Sequence, residues 1–208
     1  MQNIKLLIGM LLGTVIVVTI IAIAFSQKTS APIEMKRLVG DERHATGSAT
    51  PKVTLVEFSD FQCPACRAAQ PLVEQLITQY GEQLRFIYRN FPLIAIHKNS
   101  QAAALAAETA GSVNKYWEYH NILFERQQEW SEKSAEEAES IFIAYGTLLG
   151  IPPELMKTSL SSKTFEQQIQ NDVKDGTALG VSATPTFYVN SQKTSVQDLE
   201  QTIANLLK

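Results

Sequence analysis

Cysteine is nearly absent from this chain: Cys63 and Cys66 are the only two among 208 residues. Two thiols so close together exclude a disulfide-stapled scaffold, and a bridge between them would close no long loop. Histidine is scarce as well. His44, His97 and His120 stand far apart, so no local spacing completes the four ligands of a closed zinc site. Nor is there a basic surplus. The formal net charge is −3, and because five of the 18 basic and three of the 21 acidic residues precede residue 51, the remainder carries −5. A mildly acidic domain does not seek phosphate backbones, which argues against nucleic acid as a partner. No internal repeat is evident. The composition, 45% apolar and 19% charged, is ordinary for a globular protein, and the length suits one domain plus a small extra segment.

Charge and proline are missing altogether from the twenty residues Leu6–Phe25. As a helix this run rises about 30 Å, enough to cross a hydrocarbon core. It reads as an uncleaved anchor; the competing reading is a cleaved signal, since Ala22-Ile23-Ala24 resembles an A-x-A site. Lysine precedes the run and Lys28, Lys36 and Arg37 follow it, so the positive-inside rule does not set its orientation. Residues 1–26 are accordingly read as anchor or signal. Residues 27–50, mixed in charge and without sustained periodicity, read as a linker in which His44 is solvated.

What the chain does have is the stretch Phe58-Ser59-Asp60-Phe61-Gln62-Cys63-Pro64-Ala65-Cys66. Before it, Val53–Phe58 is rich in β-branched and aromatic residues and reads as a buried strand. After it, Leu72, Val73, Leu76, Ile77 and Tyr80 recur at helical spacing. The cysteines therefore fall where a strand ends and a helix begins. A helix N-terminus presents unpaired N–H groups and partial positive charge, which stabilise a thiolate and lower its pKa below about 8.5. Pro64 suits a first helical turn because its missing N–H would go unbonded there anyway. Cys63 is the expected nucleophile, and Cys66, three residues on and turned inward, its resolving partner.

Glu57 is an acid inside an apolar strand, six residues before Cys63. Buried there, its carboxyl would have a raised pKa and could exchange a proton with Cys66. Far downstream, Gly180–Asn190 reads as loop, proline, then strand. Pro185 at the strand entry is a candidate cis peptide, through which Thr184 would offer backbone polar groups beside the disulfide. Leu84–Phe91 alternates as the next strand, with Arg85 and Arg89 on an exposed face. Residues 97–179 read as helical throughout: Ser100–Ala110, Asn114–Gln128, a helix opened by the capping box at Ser134 and running to about Leu149, a short one after Pro152-Pro153, and Ser162–Leu179. Trp117, His120 and Phe124 share one helical face and read as core. His97 is a candidate to line the groove near Cys63, although a satisfied polar role is the default. The Glu132–Glu139 cluster reads as a solvated face, and Val196–Leu207 as an amphipathic helix covering the sheet.

Strand, C-P-x-C, helix, an acid six residues before the first cysteine and a late T-P resemble the thioredoxin superfamily. The order F-S-D-F-Q-C-P-A-C, Phe91-Pro92-Leu93, an Ala-rich helix, Tyr116–Phe124 and G-V-S-A-T-P-T-F resembles its DsbA-like branch, of the membrane-tethered, BdbD-like type, over residues 51–208. The resemblance implies an α/β thioredoxin fold with a helical insertion at about 97–179, behind the N-terminal anchor or signal. It implies a redox site of Cys63, Cys66, Glu57, Pro64, Thr184 and Pro185, with no cofactor or metal. It also implies a quinone-linked membrane partner of the DsbB or VKOR type. Both readings of Leu6–Phe25 send the domain out of the cytosol, and stable disulfide exchange of the oxidising kind belongs there, so the expected location is single-pass with the domain outside the cytoplasm and the expected substrates are exported protein thiols. Two departures stand out. Pro-Ala replaces the Pro-His of the strongly oxidising enterobacterial member, removing one source of thiolate stabilisation. Asn190-Ser191 replaces the usual Asn-Gly turn.

The expected function is therefore a disulfide oxidase acting through Cys63–Cys66. Its alternatives are a reductase or isomerase of the same fold, a copper or zinc carrier using the two thiolates, and a domain with an inert structural bridge. A two-residue loop saves little chain entropy and is easily reduced, which disfavours the last.

Overall fold

The structure is a computed structural model that describes residues 34–208. The run Leu6–Phe25, with its reading as anchor or signal, lies outside the described residues. Among the described residues no helix is long and apolar enough to cross a membrane.

The chain folds as α1 (Met35–Val39), β1 (Ala45–Gly47), β2 (Val53–Ser59), α2 (Pro64–Tyr80), β3 (Leu84–Asn90), α3 (Ser100–Gly111), α4 (Tyr116–Glu125), α5 (Gln127–Trp130), α6 (Ala135–Leu148), α7 (Pro153–Ser162), α8 (Glu166–Ala178), β4 (Thr186–Val189), β5 (Gln192–Thr194) and α9 (Leu199–Leu206). The strands form one sheet in the order β1-β3-β2-β4-β5, parallel between β2 and β3 and antiparallel elsewhere. The parallel register pairs Leu55 with Phe86, Val56 with Ile87 and Glu57 with Tyr88, and antiparallel pairing sets Glu57 opposite Phe187.

Strand periodicity then sorts the side chains between two cores. On one face Val53, Leu55, Phe86, Tyr88, Phe187 and Val189 pack with Cys66, Val73 and Leu76 of α2 and with α4 and α9. On the other, Val56, Phe58, Ile87 and Tyr188 pack against Leu38, Phe91 and Val181. Each such fully buried aromatic or aliphatic side chain contributes about 1.5–3 kcal/mol of transfer free energy. Gly176 lets α8 lie close on that second face: a β-carbon there would come within 2.9 Å of both Phe58 and Phe91. Helices α3 to α7 form the insertion. Their seam with the sheet is aromatic, with Phe124 5.0 Å and Tyr88 5.1 Å from the ring of Phe61.

Four expectations are corrected. The stretch assigned to the linker folds from at least residue 35: α1 buries Leu38 completely, β1 adds an edge strand to β3, and His44 is buried and stacked on Tyr116 at 3.4 Å. A five-residue helix and a three-residue strand are too short to show a period. Arg89 is not on an exposed face. It is buried beneath α1 and α8, bonded to Asp172 at 2.6 Å, Asp175 at 2.9 Å and the carbonyls of Arg37 and Leu38. Arg85 stays partly exposed and reaches Glu42 at 2.6 Å. The single helix expected over 114–128 is two, α4 and α5, broken at Arg126. The last long helix starts at Glu166, because Lys163 takes a left-handed conformation (φ 51°) that ends α7.

Elsewhere the sequence pattern and the structure agree. Ser134 and Glu137 form the reciprocal capping box of α6. The Asn190-Ser191 turn closes the β4–β5 hairpin with φ 46° and 72°, the left-handed geometry that a two-residue hairpin loop requires.

Candidate active site

Cys63 is the N-cap of α2 and Pro64 its first residue. An Asx turn delivers the cysteine there. Asp60 Oδ1 accepts from the Gln62 N–H at 2.8 Å, and the Asp60 carbonyl accepts from the Cys63 N–H at 3.0 Å. Cys63 keeps 7% of its surface exposed, while Cys66, one turn in, is wholly buried. The two sulfurs are unbonded to each other in this structure.

The two sulfurs are electrostatically unequal. The Cys63 thiol is pulled down to about 5, first by the hydrogen bond from the Cys66 thiol, with further donors in the Thr184 side chain and the N–H groups of Cys66 and Ala65; desolvation opposes them. Cys66 is pushed far up by burial, by donating to Cys63, and by the negative charges of Glu57 and Cys63. Thr184 closes the site from the other side. Its carbonyl oxygen lies 3.4 Å from Cys63 Sγ, and its buried hydroxyl has no other partner. The Thr184–Pro185 peptide is cis, as its place at a strand entry predicts.

Glu57 lies on the same sheet face as Ser59, completely buried. Ser59 donates to its Oε1 at 2.7 Å and Gln70 at 3.5 Å, while its Oε2 has no partner. Burial raises its carboxyl to about 7; the charge of Cys63 adds to this, and the bonds from Ser59 and Gln70 oppose it. Near neutral pH the carboxyl can thus hold a proton or release one beside Cys66, whose own acidity responds to its charge.

Several residues around the cysteines escaped the sequence reading. Asp60 is buried, and its Oδ2 accepts from the Leu93 N–H at 2.8 Å and meets His97 Nδ1 at 2.7 Å. His97 therefore belongs to the loop scaffold. Gln62 reaches the insertion, accepting from the Asn99 N–H at 2.7 Å and donating to the Ser131 carbonyl at 2.6 Å. Gln127 donates to the carbonyls of Phe61 at 2.8 Å and Cys63 at 3.0 Å. Ser59 and Gln70 carried a signal in their spacing, two residues from Glu57 on a strand and four from Cys66 on a helix; Asp60 carried one as an Asx-turn former. Gln127, more than sixty residues away, carried none.

His120 packs among Phe61, Tyr88, Trp117 and Phe124, and burial lowers its pKa to about 4, which keeps the ring neutral. This is the core role its spacing predicts. Among the described residues no group of three or more His, Cys, Asp or Glu side chains is placed to hold a metal ion.

A thioredoxin family model (Thioredoxin_4) matches residues 40–208. The chain is similar to the Na+/H+ antiporter NhaA 1 of Salinispora arenicola, with 33% identity over 153 residues that cover 74% of this chain and 22% of that protein. It thus spans less than a quarter of the length of the curated relatives it matches first. Among solved structures it is similar to oxidised BdbD from Bacillus subtilis, with a TM-score of 0.71 and 24% identity over 85% of this chain and 96% of that one. A thioredoxin-like oxidoreductase from Silicibacter pomeroyi superposes with a TM-score of 0.68 and 24% identity over 83% and 96% of the two chains.

Proposed function

Because this chain belongs to the thioredoxin family and has the fold of its DsbA-like members, we propose that it is a thiol–disulfide oxidoreductase working through Cys63 and Cys66. The observation that carries the reading is the inequality of the two sulfurs. One is a stabilised thiolate at a helix N-cap with some surface exposed, and the other is a buried thiol one turn behind it.

In the oxidising direction a client thiolate attacks Cys63 Sγ of the Cys63–Cys66 disulfide. The S–S bond breaks, its electron pair leaves on Cys66, and Cys66 takes up a proton, for which neutral Glu57 is the source. A second client thiolate then attacks the client sulfur of the mixed disulfide. Cys63 departs as a thiolate, the client gains a disulfide, and the protein holds the two electrons. The oxidising direction is favoured because a low-pKa Cys63 stabilises the reduced form. Ala65 adds no polar group to that stabilisation, so a reductase or isomerase is the second reading.

The compartment and partners belong to the same proposal. Exported protein thiols are the substrates. The uncharged run Leu6–Phe25 supports a single-pass tether with the domain outside the cytoplasm, where stable disulfide exchange of the oxidising kind belongs. Returning the two electrons calls for a quinone-linked membrane partner of the DsbB or VKOR type. Ion exchange is the named activity of relatives far longer than the matched stretch, and nothing in the Cys63 site serves it.

Equilibrating the domain with glutathione tests the direction. A potential near about −120 mV marks an oxidase, and one near about −270 mV a reductase. Cys63→Ser should abolish transfer to a reduced client, while Cys66→Ser should accumulate a mixed disulfide visible by mass spectrometry. Transfer surviving in Cys63→Ser would contradict the order of attack.

A further inference from the structure

Every peptide group of the turn that presents Cys63 is held from one of two sides. Asp60 takes the N–H groups of Gln62 and Cys63, one through its carboxylate and one through its carbonyl. The carbonyls of Phe61 and Cys63 face the opposite way, toward the helical insertion, and both accept from the side-chain amide of Gln127, which is itself buried. Gln127 opens α5, at the break after α4. That short helix has little freedom. Trp130 is wholly buried, donates to the Leu123 carbonyl at 3.1 Å and packs edge-on against Phe142 at 5.2 Å. Asn99 bonds the carbonyls of Trp130, Ser131 and Lys133 at 3.0, 3.3 and 3.0 Å.

We propose that Gln127 is a positioning residue through which the helical insertion sets the acidity, and hence the oxidising power, of Cys63. This rests on the reading of Cys63 as the nucleophile. Among the described residues, the Gln127 amide is the insertion's one hydrogen bond to the nucleophile's own backbone. The Cys63 carbonyl also accepts the first helical bond of α2, from the Arg67 N–H at 3.1 Å. With two donors on that oxygen and one on the Phe61 oxygen, the Phe61–Gln62 and Cys63–Pro64 peptide planes, on either side of the one that Asp60 holds, cannot turn. The sulfur is then fixed where the Ala65 and Cys66 N–H groups and Thr184 reach it. Without the amide, the Phe61 carbonyl loses its donor and the Cys63 carbonyl one of two, and the turn, held then from the Asp60 side alone, can rotate toward new partners. That rotation moves the sulfur away from the groups that stabilise its charge.

The test compares the wild type with Gln127→Met, which keeps the length and removes the donor, and with Gln127→Glu, which keeps the shape and sets carboxylate oxygens against the two carbonyls. The thiolate absorbance of Cys63 is followed against pH, and the Cys63–Cys66 equilibrium against glutathione. In Gln127→Met the ionisation midpoint should rise by about one pH unit and the equilibrium should move about tenfold toward the disulfide. Gln127→Glu should move both further in the same direction, and it decides the question if the methionine variant does not fold. If either folded variant loses thermal stability yet titrates and equilibrates as the wild type does, Gln127 merely satisfies two carbonyls and the proposal is overturned. Should the wild-type Cys63 itself ionise like a free thiol, the nucleophile reading fails first, independently of Gln127.

Discussion

The sulfur of Cys63 and the carbonyl oxygen of Thr184 lie 3.4 Å apart across 121 residues of chain. The contact brings the strand-entry loop of β4 onto the N-cap of α2 and gives one residue two opposite tasks. The Thr184 carbonyl accepts from the thiol, and its otherwise unpartnered hydroxyl can donate to the thiolate.

Thr184→Val keeps the carbonyl and the side-chain shape and removes the hydroxyl. The Cys63 midpoint should rise by about half to one pH unit, since one hydrogen bond to a charged group is lost. The glutathione equilibrium should shift toward the disulfide in proportion. A thiolate titration that does not move would leave the lowered midpoint to the Cys66 thiol and the N–H groups of Cys66 and Ala65.

Glu57 makes the reduced protein sensitive to pH in a defined window. Its carboxyl is raised by burial from 4.5 to about 7 in the folded state. Between those values the folded state binds more protons than the unfolded one, so this group's contribution to stability falls as pH rises through the window. Glu57→Gln removes the titration and retains an acceptor for Ser59. Relative to the wild type, the variant should therefore gain stability between pH 4.5 and pH 8, by roughly 3 kcal/mol. Urea unfolding of both proteins at the two pH values checks the sign. If Glu57 protonates Cys66 as proposed, disulfide exchange by the variant should also slow near neutral pH.

Asp60 is the hinge-pin of two loops, with backbone donors on both carboxylate oxygens and His97 against one of them. Asp60→Asn must turn its amide toward one of the N–H donors and leave that group unsatisfied, at a cost of about 1–3 kcal/mol. His97→Ala should cost less, because its side chain is 16% exposed and Asp60 keeps both backbone bonds. Equal losses in denaturant unfolding would contradict this division.

Arg43 ties the first described residues to the body of the domain. It reaches Asp172 at 2.5 Å, Glu108 at 3.0 Å and Asp41 at 2.8 Å, and both Glu108 and Asp172 are almost fully buried. Arg43→Met leaves those two carboxylates short of counter-charge and should destabilise the domain by about 3–5 kcal/mol. A chain beginning at residue 51 also lacks Leu38 and His44 and should fail to give a cooperative thermal transition, whereas one beginning at residue 34 retains all three.

Much of this molecule was written in local patterns. The β-branched run before the cysteines, the helical spacing after them, Pro64, and the proline at the entry to β4 are each readable within a dozen residues, because strand and helix periods and proline's geometry are properties of neighbours in the chain. Glu57 stood out for a related reason: a carboxyl in an apolar strand has to be buried. Tertiary structure alone decided the rest, where charges and donors find partners by distance in space. Arg89 looked like a surface residue until α1 and α8 covered it with Asp172 and Asp175. The segment 35–47 looked like a tether until Leu38, Arg43 and His44 met their partners. Gln127 looked like any polar helix residue until the fold aimed its amide at the backbone of Cys63. Hydrogen bonds and ion pairs are directional and short-ranged, and no periodicity in the chain encodes which distant group will complete them.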